Sequence, residues 1–326
     1  MDLIDINNIF SDSFVHFNHY CAQLYDYQYK NNLVYRNWVN LIHPNQHFEK
    51  IPQSIPSLPI AFFKEMNVKT GEFKPEMIFE SSGTTGTVNS RHLVKNIELY
   101  ERSFEATFEL FYGDIKEWCV LALLPSYLER ENSSLVYMAK KMIIKSGHPK
   151  SGYYLYNFEE LNTSLNLLED QGQKTLLLGV TFALLDFSEK FPQQLKHTNV
   201  METGGMKGRG NELTKKELHS ILKDRFGVDK IHAEYGMTEL MSQAYSSGYG
   251  KYICPPWMKV LVRSEDDPLL VSTKGTGVLQ IIDLANMDSC AFIATEDVGT
   301  VYENGSFEVL GRLDNADLRG CSLLVV

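Results

Sequence analysis

The sequence is poor in cysteine, and its cysteines show no metal-binding spacing. An odd number of thiols without a C-x-x-C pair argues against a disulfide framework and against a zinc knuckle. We therefore expect reduced thiols, most of them small buried hydrophobic residues. The five are Cys21, Cys119, Cys254, Cys290 and Cys321.

The chain also lacks an excess of positive charge and any long apolar run. Its 31 Lys and Arg against 41 Asp and Glu leave a net charge of −10, which gives no general attraction to nucleic acid or to an anionic membrane. No apolar run approaches the ~20 residues of a spanning helix, and residues 1–5 are acidic where a signal peptide would be basic. We expect a cytoplasmic protein without an integral membrane segment or a nucleic-acid partner.

What is present is the composition of a globular protein with a large core, at 44% hydrophobic and 12% aromatic residues in 326. Apolar runs that predict buried strands alternate with helical patterns, and one helix is bounded by the capping box Thr214-x-x-Glu217 and by Gly227. This alternation predicts a mainly parallel α/β sheet. The strand runs are residues 118–124, 175–180 and 198–202.

From about residue 250 the pattern changes to short strands, with a hairpin at Asn304-Gly305. We expect a single domain over residues 1–326 with a smaller β-rich part near its carboxyl end. The expected parts are a helical region with a proline-rich connector (1–60), an α/β core (61–249), the β-rich part (250–312) and a hinge-like tail (313–326).

The densest cluster of hydroxyls and glycines is a six-residue loop suited to holding phosphate oxygens. Glycine lets the backbone N–H groups approach a ligand, and each Ser or Thr adds a hydroxyl donor. The loop is not a P-loop, since Thr87 follows where a lysine would stand. Taken alone, such a cluster is as consistent with a solvated turn. Its residues are Ser81, Ser82, Gly83, Thr84, Thr85 and Gly86.

A second cluster, residues 234–239, follows the predicted strand 230–233 and so lies in a loop at a strand's carboxyl end, where α/β sheets bind ligands. Tyr235 offers a flat face for a base, Thr238 a hydroxyl for phosphate and Glu239 a hard oxygen for Mg²⁺. The alternative is a buried aromatic residue, a turn glycine and a solvated acid.

A third cluster lies near the end, at residues 295–297 and 311–314. Asp297 has the chemistry to hold a ribose diol, and Arg312 supplies a rigid cationic fork for ribose or phosphate oxygens. As isolated charges these residues would simply be solvated.

In sequence order these clusters resemble the core motifs of the adenylate-forming enzymes, which use ATP to activate carboxylic acids as acyl-AMP. The resemblance covers residues from about 80 to 321. Within that superfamily the chain resembles the acyl-protein synthetase (LuxE) family of the bacterial luciferase fatty-acid reductase system. The stretches that carry this closer resemblance are residues 124–130 (LPSYLER), 202–208 (ETGGMKG) and 319–321 (RGC).

The resemblance implies a large adenylate-forming domain with ATP and Mg²⁺ as cofactors, and it assigns a role to each motif. Residues 81–86 would wrap the ATP phosphates. Tyr235 would stack on the adenine base, the Gly204-Gly205 turn would line it, and Gly236 would also belong to the nucleotide site. Thr238 would contact the α-phosphate and Glu239 would coordinate Mg²⁺. Asp297 would bind the ribose hydroxyls, Arg312 would lie near ribose or phosphate, and Asp314 would lie at a hinge.

The sequence departs from the wider superfamily after Asp314. We expect the usual carboxyl-terminal lid domain, which carries a catalytic lysine, to be absent. Our hypothesis is that Lys207 or Arg209, beside the base-binding turn, substitutes for that lysine. The alternative is that both are surface cations.

Cys321 offers an acyl acceptor near the carboxyl end, as in the resembled family. An extended tether from Asp314 would carry its sulfur on the order of 24 Å. The expected activity is ATP-dependent activation of a fatty acid and transfer of its acyl group to Cys321, for delivery to an acyl-accepting reductase or carrier protein. The alternatives are an inert Cys321 in a docked apolar strand, an acyl- or aryl-CoA ligase of the phenylacetate-CoA ligase type, and a non-catalytic nucleotide-binding module.

Overall fold

The computed structural model describes residues 9–10, 16–44, 48–81, 89–125, 132–204 and 213–313. In these ranges two six-stranded sheets and a two-stranded hairpin are flanked by helices, and no helix there is long and apolar enough to cross a bilayer. The helices are α1 (Phe17–Asn31), α2 (Leu33–Ile42), α3 (Phe62–Glu65), α4 (Ile97–Tyr112), α5 (Ser134–Ser146), α6 (Phe158–Asp170), α7 (Thr181–Lys190) and α8 (Lys215–Phe226).

The strands of the first half of the chain are β1 (Leu58–Pro59), β2 (Met77–Glu80), β3 (Arg91–Val94), β4 (Cys119–Leu123), β5 (Gly152–Tyr153), β6 (Thr175–Val180) and β7 (Thr198–Thr203). The remaining strands are β8 (His232–Tyr235), β9 (Ala244–Ser246), β10 (Met258–Arg263), β11 (Val271–Ser272), β12 (Gly275–Asp283), β13 (Phe292–Val301) and β14 (Phe307–Arg312).

The first sheet has the order β5-β4-β6-β7-β8-β9, and all of its pairings are parallel except that of β8 with β9. Every residue of β4 and of β6 is buried, because helices cover both faces of a parallel sheet and its strands then read as continuous apolar runs. The predicted α/β architecture with a mainly parallel sheet is confirmed.

Helix α8 begins and ends where the sequence predicts. The Thr214 hydroxyl accepts from the Glu217 main chain, and the Glu217 carboxylate accepts from the Thr214 main chain at 2.8 Å. At the other end Gly227 adopts φ +62°, a left-handed conformation that favours glycine. This helix returns the chain to the start of β8.

The second sheet is mostly antiparallel, with the order β1-β13-β12-β10-β11 and with β14 also paired to β13. The predicted hairpin at Asn304-Gly305 joins β13 to β14, and Tyr302 donates its N–H to the Ser306 carbonyl across it at 2.8 Å. The hairpin register places Asp297 directly opposite Arg312. The division of the chain at residues 60, 249 and 312 remains a prediction.

Strand β8 lies two residues further along the chain than the predicted strand 230–233. Glu234 and Tyr235 therefore belong to the strand and not to the loop after it. A charged residue such as Glu234 after an apolar run usually marks the end of a strand. Here its buried carboxylate accepts a hydrogen bond at 2.5 Å from Thr203 Oγ1 on the neighbouring strand β7. Because that partner satisfies the carboxylate, the strand continues through it.

The amino-terminal helices are tied to the core by buried amides. Gln28 of α1 donates through Nε2 to the main-chain oxygens of Asn286 and Met287, each at 3.0 Å, and accepts from the Ala291 N–H at 2.9 Å. These bonds hold the segment between β12 and β13 against α1.

Candidate active site

The base of the Ser/Gly/Thr loop is closed by two serines. Strands β2 and β3 form an antiparallel hairpin on either side of the loop. The Ser81 N–H donates to the Ser90 carbonyl at 3.0 Å, and the Ser90 N–H donates to Ser81 Oγ at 2.9 Å. Ser81 is thus held at the loop's base, while the predicted residues 82–86 lie outside the described part of the chain.

Glu239 faces this base. Its side chain is 5% exposed. Burial raises the pKa of Glu239, and a hydrogen bond with the Ser90 side chain opposes that rise. The positive charge of Arg312 acts on the carboxylate in the same direction as Ser90. The structure therefore brings Ser81, Glu239 and the Arg312 charge into one neighbourhood.

Tyr235 and Asp297 are in direct contact. The Tyr235 hydroxyl donates to Asp297 Oδ2 at 2.7 Å, and the Tyr235 ring, 8% exposed, packs edge-on against Phe307 with 5.2 Å between centroids. Burial raises the pKa of Asp297, opposed by this hydrogen bond and by the Arg312 charge. The residues predicted for base and ribose therefore lie side by side.

Arg312 is oriented by two acids on β13. Its Nη2 lies 3.1 Å from Glu296 Oε2, and its Nε lies 4.0 Å from Asp297 Oδ1. The guanidinium is more than half exposed. An exposed cation beside Asp297 is available to a ribose or phosphate oxygen.

Gly204 leaves β7 beside Tyr235. Thr203 pairs with Glu234 in the parallel register, so Gly204, the residue after Thr203, lies next to Tyr235, the last residue of β8. Gly204 has φ +75°, and its carbonyl accepts from Thr181 Oγ1 at 3.0 Å. An L-side chain at this φ would be strained. Gly205 lies outside the described residues.

A buried ionic cluster supports the strand before this turn. Glu202 Oε1 lies 2.8 Å from Lys215 Nζ and 3.4 Å from His219 Nε2, and Lys215 also contacts the Tyr252 hydroxyl. Burial alone would raise the pKa of Glu202, but hydrogen bonding to His219 and the nearby Lys215 charge lower it overall. Glu202 is therefore an anion that anchors α8 to the end of β7.

Gly236 has no room for a side chain. A Cβ there would lie 2.5 Å from Glu234 Oε1 and 3.4 Å from Gln243 Cγ. Thr238 and Glu239 follow in the segment between β8 and β9, where the Leu240 N–H donates to the Met237 carbonyl at 3.1 Å. The close fit at Gly236 holds that segment against the sheet.

The donor set fits a phosphate-bound Mg²⁺ ion. In the described residues no three His, Cys, Asp or Glu side chains cluster as a protein-only metal site. Mg²⁺ typically uses one or two carboxylates and completes its shell with substrate phosphates and water. The buried carboxylate of Glu239 at the base of the Ser/Gly/Thr loop matches that pattern.

The described cysteines are poor nucleophiles. Burial raises the pKa of Cys21, Cys254 and Cys290 to about 12, and that of Cys119 to about 11. A thiol with such a pKa is protonated at neutral pH and unreactive. Cys321 lies outside the described residues, as do Lys207, Arg209 and Asp314.

Three residues that hold the site together were not identified from the sequence: Ser90, His92 and Asn286. Ser90 and His92 alternate in and just before β3, so period-2 alternation after the loop is a signal that would have found them. Asn286 follows β12 and touches the site only through long-range contacts, which leave no local signal.

Comparison with known proteins places these features in a family. The profile of the acyl-protein synthetase family, LuxE, matches residues 13–326. A long-chain-fatty-acid–luciferin-component ligase from Aliivibrio fischeri is 24% identical over 329 residues, which span 91% of this chain and 84% of that protein.

Solved structures share the fold. ATP-bound MatB from Rhodopseudomonas palustris aligns at 15% identity and a TM-score of 0.54 over 74% of this chain. A long-chain-fatty-acid–CoA ligase from Archaeoglobus fulgidus aligns at 14% identity and a TM-score of 0.50 over 72% of this chain. The chain spans about half the length of each, 49% and 51% respectively. Profile, relative and fold agree with the resemblance seen in the motifs, and the chain belongs to the LuxE acyl-protein synthetase family.

Proposed function

We propose that this protein uses ATP and Mg²⁺ to activate a long-chain fatty acid as acyl-AMP and then transfers the acyl group to its own Cys321. The observation that carries the proposal is the convergence of the nucleotide motifs. Ser81 and Glu239 meet through Ser90, and Tyr235 bonds Asp297 beside Arg312. Residues so far apart in the chain would have no reason to converge if they were only solvated turns and charges.

In the first step a carboxylate oxygen of the fatty acid bonds the α-phosphorus of ATP, and the bond from that phosphorus to the bridging oxygen breaks to release pyrophosphate. A carboxylate alone is a poor electrophile, and the resulting mixed anhydride can be attacked by a thiol. Tyr235 and Gly204 would hold the base, Asp297 the ribose, and residues 81–86 with Thr238 the phosphates. Mg²⁺ held by Glu239 would neutralise phosphate charge.

In the second step the thiolate sulfur of Cys321 bonds the acyl carbon, the bond from that carbon to the AMP oxygen breaks, and the thiol proton leaves to solvent. The raised pKa of each described cysteine supports Cys321 as the acceptor. The thioester would then pass to a reductase or carrier protein. A free acceptor thiol fits a reducing compartment, the cytoplasm.

ATP/pyrophosphate exchange with acids of increasing chain length, with and without coenzyme A, tests the first step. We expect exchange that is greatest with long-chain acids and independent of coenzyme A. ATP binding without exchange on any acid would instead support a non-catalytic nucleotide-binding module. AMP release that needs coenzyme A and is unaffected by Cys321→Ser would identify a CoA ligase of the phenylacetate-CoA ligase type.

The Cys321→Ser variant tests the second step. It should keep exchange and lose the hydroxylamine-labile label from radioactive fatty acid, because a serine ester resists hydroxylamine and a hydroxyl is a weaker nucleophile. Cys254→Ser is the matched control and should keep both activities. If Cys321→Ser still labels, another residue carries the acyl group.

We also propose that Lys207 or Arg209 replaces the catalytic lysine of the superfamily's lid domain. In the sequence both follow the Gly204-Gly205 turn that is proposed to line the base. Lys207→Ala and Arg209→Ala are each compared with wild type by pyrophosphate exchange. Unchanged exchange in both variants would refute the substitution.

A further inference from the structure

Two main-chain carbonyls of the segment that carries Thr238 and Glu239 are held by side chains from elsewhere in the chain. His92 Nδ1 lies 2.9 Å from the Thr238 carbonyl oxygen. Asn286 Nδ2 donates to the Glu239 carbonyl oxygen at 2.7 Å. The two side chains also meet each other, with His92 Nε2 3.1 Å from Asn286 Oδ1. The three contacts form one bracket around two successive peptides, the one that joins Thr238 to Glu239 and the one that joins Glu239 to Leu240.

The two members of this bracket come from opposite sides of the site. His92 lies on β3, two residues after the Ser90 that closes the Ser/Gly/Thr loop. Asn286 lies in the segment between β12 and β13, where its own carbonyl accepts from Gln28 Nε2 at 3.0 Å. The bracket therefore joins the phosphate-loop hairpin to the Glu239 segment and to the amino-terminal helix.

The bracket is buried and uncharged. His92 and Asn286 are each 1% exposed. Burial lowers the pKa of His92 to about 4, against hydrogen bonds that act in the other direction, so the ring is neutral at physiological pH. A neutral ring carries one N–H. With that proton on Nδ1 it donates to the Thr238 carbonyl, and Nε2 then packs against Asn286 Oδ1 without a hydrogen bond. The uncharged ring adds no cation that would compete with Mg²⁺.

The far end of the same segment is held independently. Asp283 accepts from the Met241 and Ser242 N–H groups at 2.8 and 2.9 Å and from Ser242 Oγ at 2.7 Å. Loss of His92 would therefore leave residues 241 and 242 anchored while freeing the peptide plane between Thr238 and Glu239. Rotation of that peptide plane would change ψ of Thr238 and φ of Glu239, and with them the directions in which the two side chains point.

We propose that His92 and Asn286 are positioning residues that fix the Thr238–Glu239 peptide relative to the Ser81–Ser90 hairpin, so that the Glu239 carboxylate and the Thr238 hydroxyl are aimed at the phosphates before nucleotide arrives. This inference rests on the proposed nucleotide function. Fixed donors and ligands need no reorganisation when substrate binds. Neither residue would touch the substrate.

The test uses the full chain and a readout without turnover. Free Mn²⁺ is measured by electron paramagnetic resonance as protein is added to Mn²⁺ and ATP without fatty acid, together with urea unfolding of each variant. His92→Leu should weaken Mn²⁺·ATP binding about tenfold. The Thr238 carbonyl would lose its buried hydrogen-bond partner, and the free energy of such a loss corresponds to about a tenfold change in a binding constant. His92→Asn, whose amide nitrogen takes the place of Nδ1, should recover most of that loss. In exchange assays the loss should appear as a higher Mg²⁺ requirement.

Two further variants complete the test. His232→Leu is the matched control, because His232 is also a histidine of lowered pKa that bonds a neighbour, Tyr112, and lies on β8 three residues before Tyr235. It should leave Mn²⁺·ATP binding unchanged. Asn286→Ala is the replacement variant if His92→Leu does not fold. It should weaken Mn²⁺·ATP binding to a similar degree.

The outcomes separate the two proposals. If wild type binds no Mn²⁺·ATP, both the nucleotide function and the positioning role are wrong. If wild type binds and folded His92→Leu and Asn286→Ala bind equally well, only the positioning role is overturned. If His92→Leu and His232→Leu weaken Mn²⁺·ATP binding equally and in proportion to their loss of stability, His92 has only a structural role and the inference is overturned.

Discussion

At the scale of single residues, the most unusual group beside the proposed site is the carboxyl of Glu234. It is buried one residue before Tyr235, bonds Thr203 and crowds Gly236. Burial, reinforced by the negative charge of Glu202, raises the pKa of Glu234 to about 7, although the Thr203 hydrogen bond opposes the rise. The native state therefore holds a proton on Glu234 that the unfolded chain releases at much lower pH.

Glu234→Gln should remove a pH dependence of stability. Between about pH 4.5 and pH 7 the unfolded chain binds fewer protons at this position than the native state, so the free energy of unfolding of wild type falls as pH rises through this window. The shift corresponds to about 3 kcal/mol. The glutamine cannot ionise, so the stability of wild type relative to the variant should decline by about that amount.

Urea unfolding of both proteins from pH 4.5 to pH 8 measures this difference. Glu303→Gln, at a side chain 81% exposed, is the control and should follow wild type. Parallel curves for wild type and Glu234→Gln across the window would contradict a raised pKa.

At the scale of elements, strands and helices with both a regular period and end signals were predictable. The strand 175–180 is observed with those bounds, and α8 lies between its predicted capping box and Gly227. The predicted bounds of β8 were wrong by two residues. A polar residue such as Glu234 usually ends a strand, but here the buried hydrogen bond with Thr203 lets the strand continue. A local pattern cannot report a partner 31 positions away.

Thr214→Ala should destabilise the protein by about 1 kcal/mol, since it removes the side chain of a complete capping box. Helix α8 carries the Lys215 and His219 that bond Glu202, so fraying of its first turn should also loosen the end of β7. Urea unfolding at constant pH measures the effect.

Thr163→Ala is the control for this variant. Thr163 lies inside α6, where its hydroxyl bonds the Glu159 carbonyl within the helix, and alanine is the better helix former. A Thr214→Ala variant as stable as Thr163→Ala would show that the capping box contributes nothing here.

At the scale of the whole molecule, the candidate site residues could be proposed from the sequence, but the residues that hold them in place could not. Ser81, Tyr235, Glu239 and Asp297 stand in short motifs whose residue types suit a nucleotide. The contacts of His92 with Thr238 and with Asn286 join positions 146 and 194 residues apart. Such contacts depend on how the sheets pack, which periodicity does not describe.

The whole chain should present one reactive thiol. Because burial raises the pKa of Cys21, Cys119, Cys254 and Cys290, brief iodoacetamide treatment of native protein at pH 7.5 should add a single adduct, at Cys321. Intact mass spectrometry and peptide mapping measure the adduct. Cys321→Ser should stay unmodified under the same conditions and react fully in urea, whereas rapid labelling of a described cysteine would contradict the pKa assignment.

The parallel sheet ends on very short strands, two residues in β5 and three in β9. Long apolar strands such as β6 would template the addition of another chain if they lay at a margin with free main-chain groups. In the described part of the chain, the strands at the two margins offer only two and three residues for a second copy to pair with. Short margins disfavour edge-to-edge association of the sheets of two copies, which matters for a protein that is proposed to carry a hydrophobic acyl chain as a thioester.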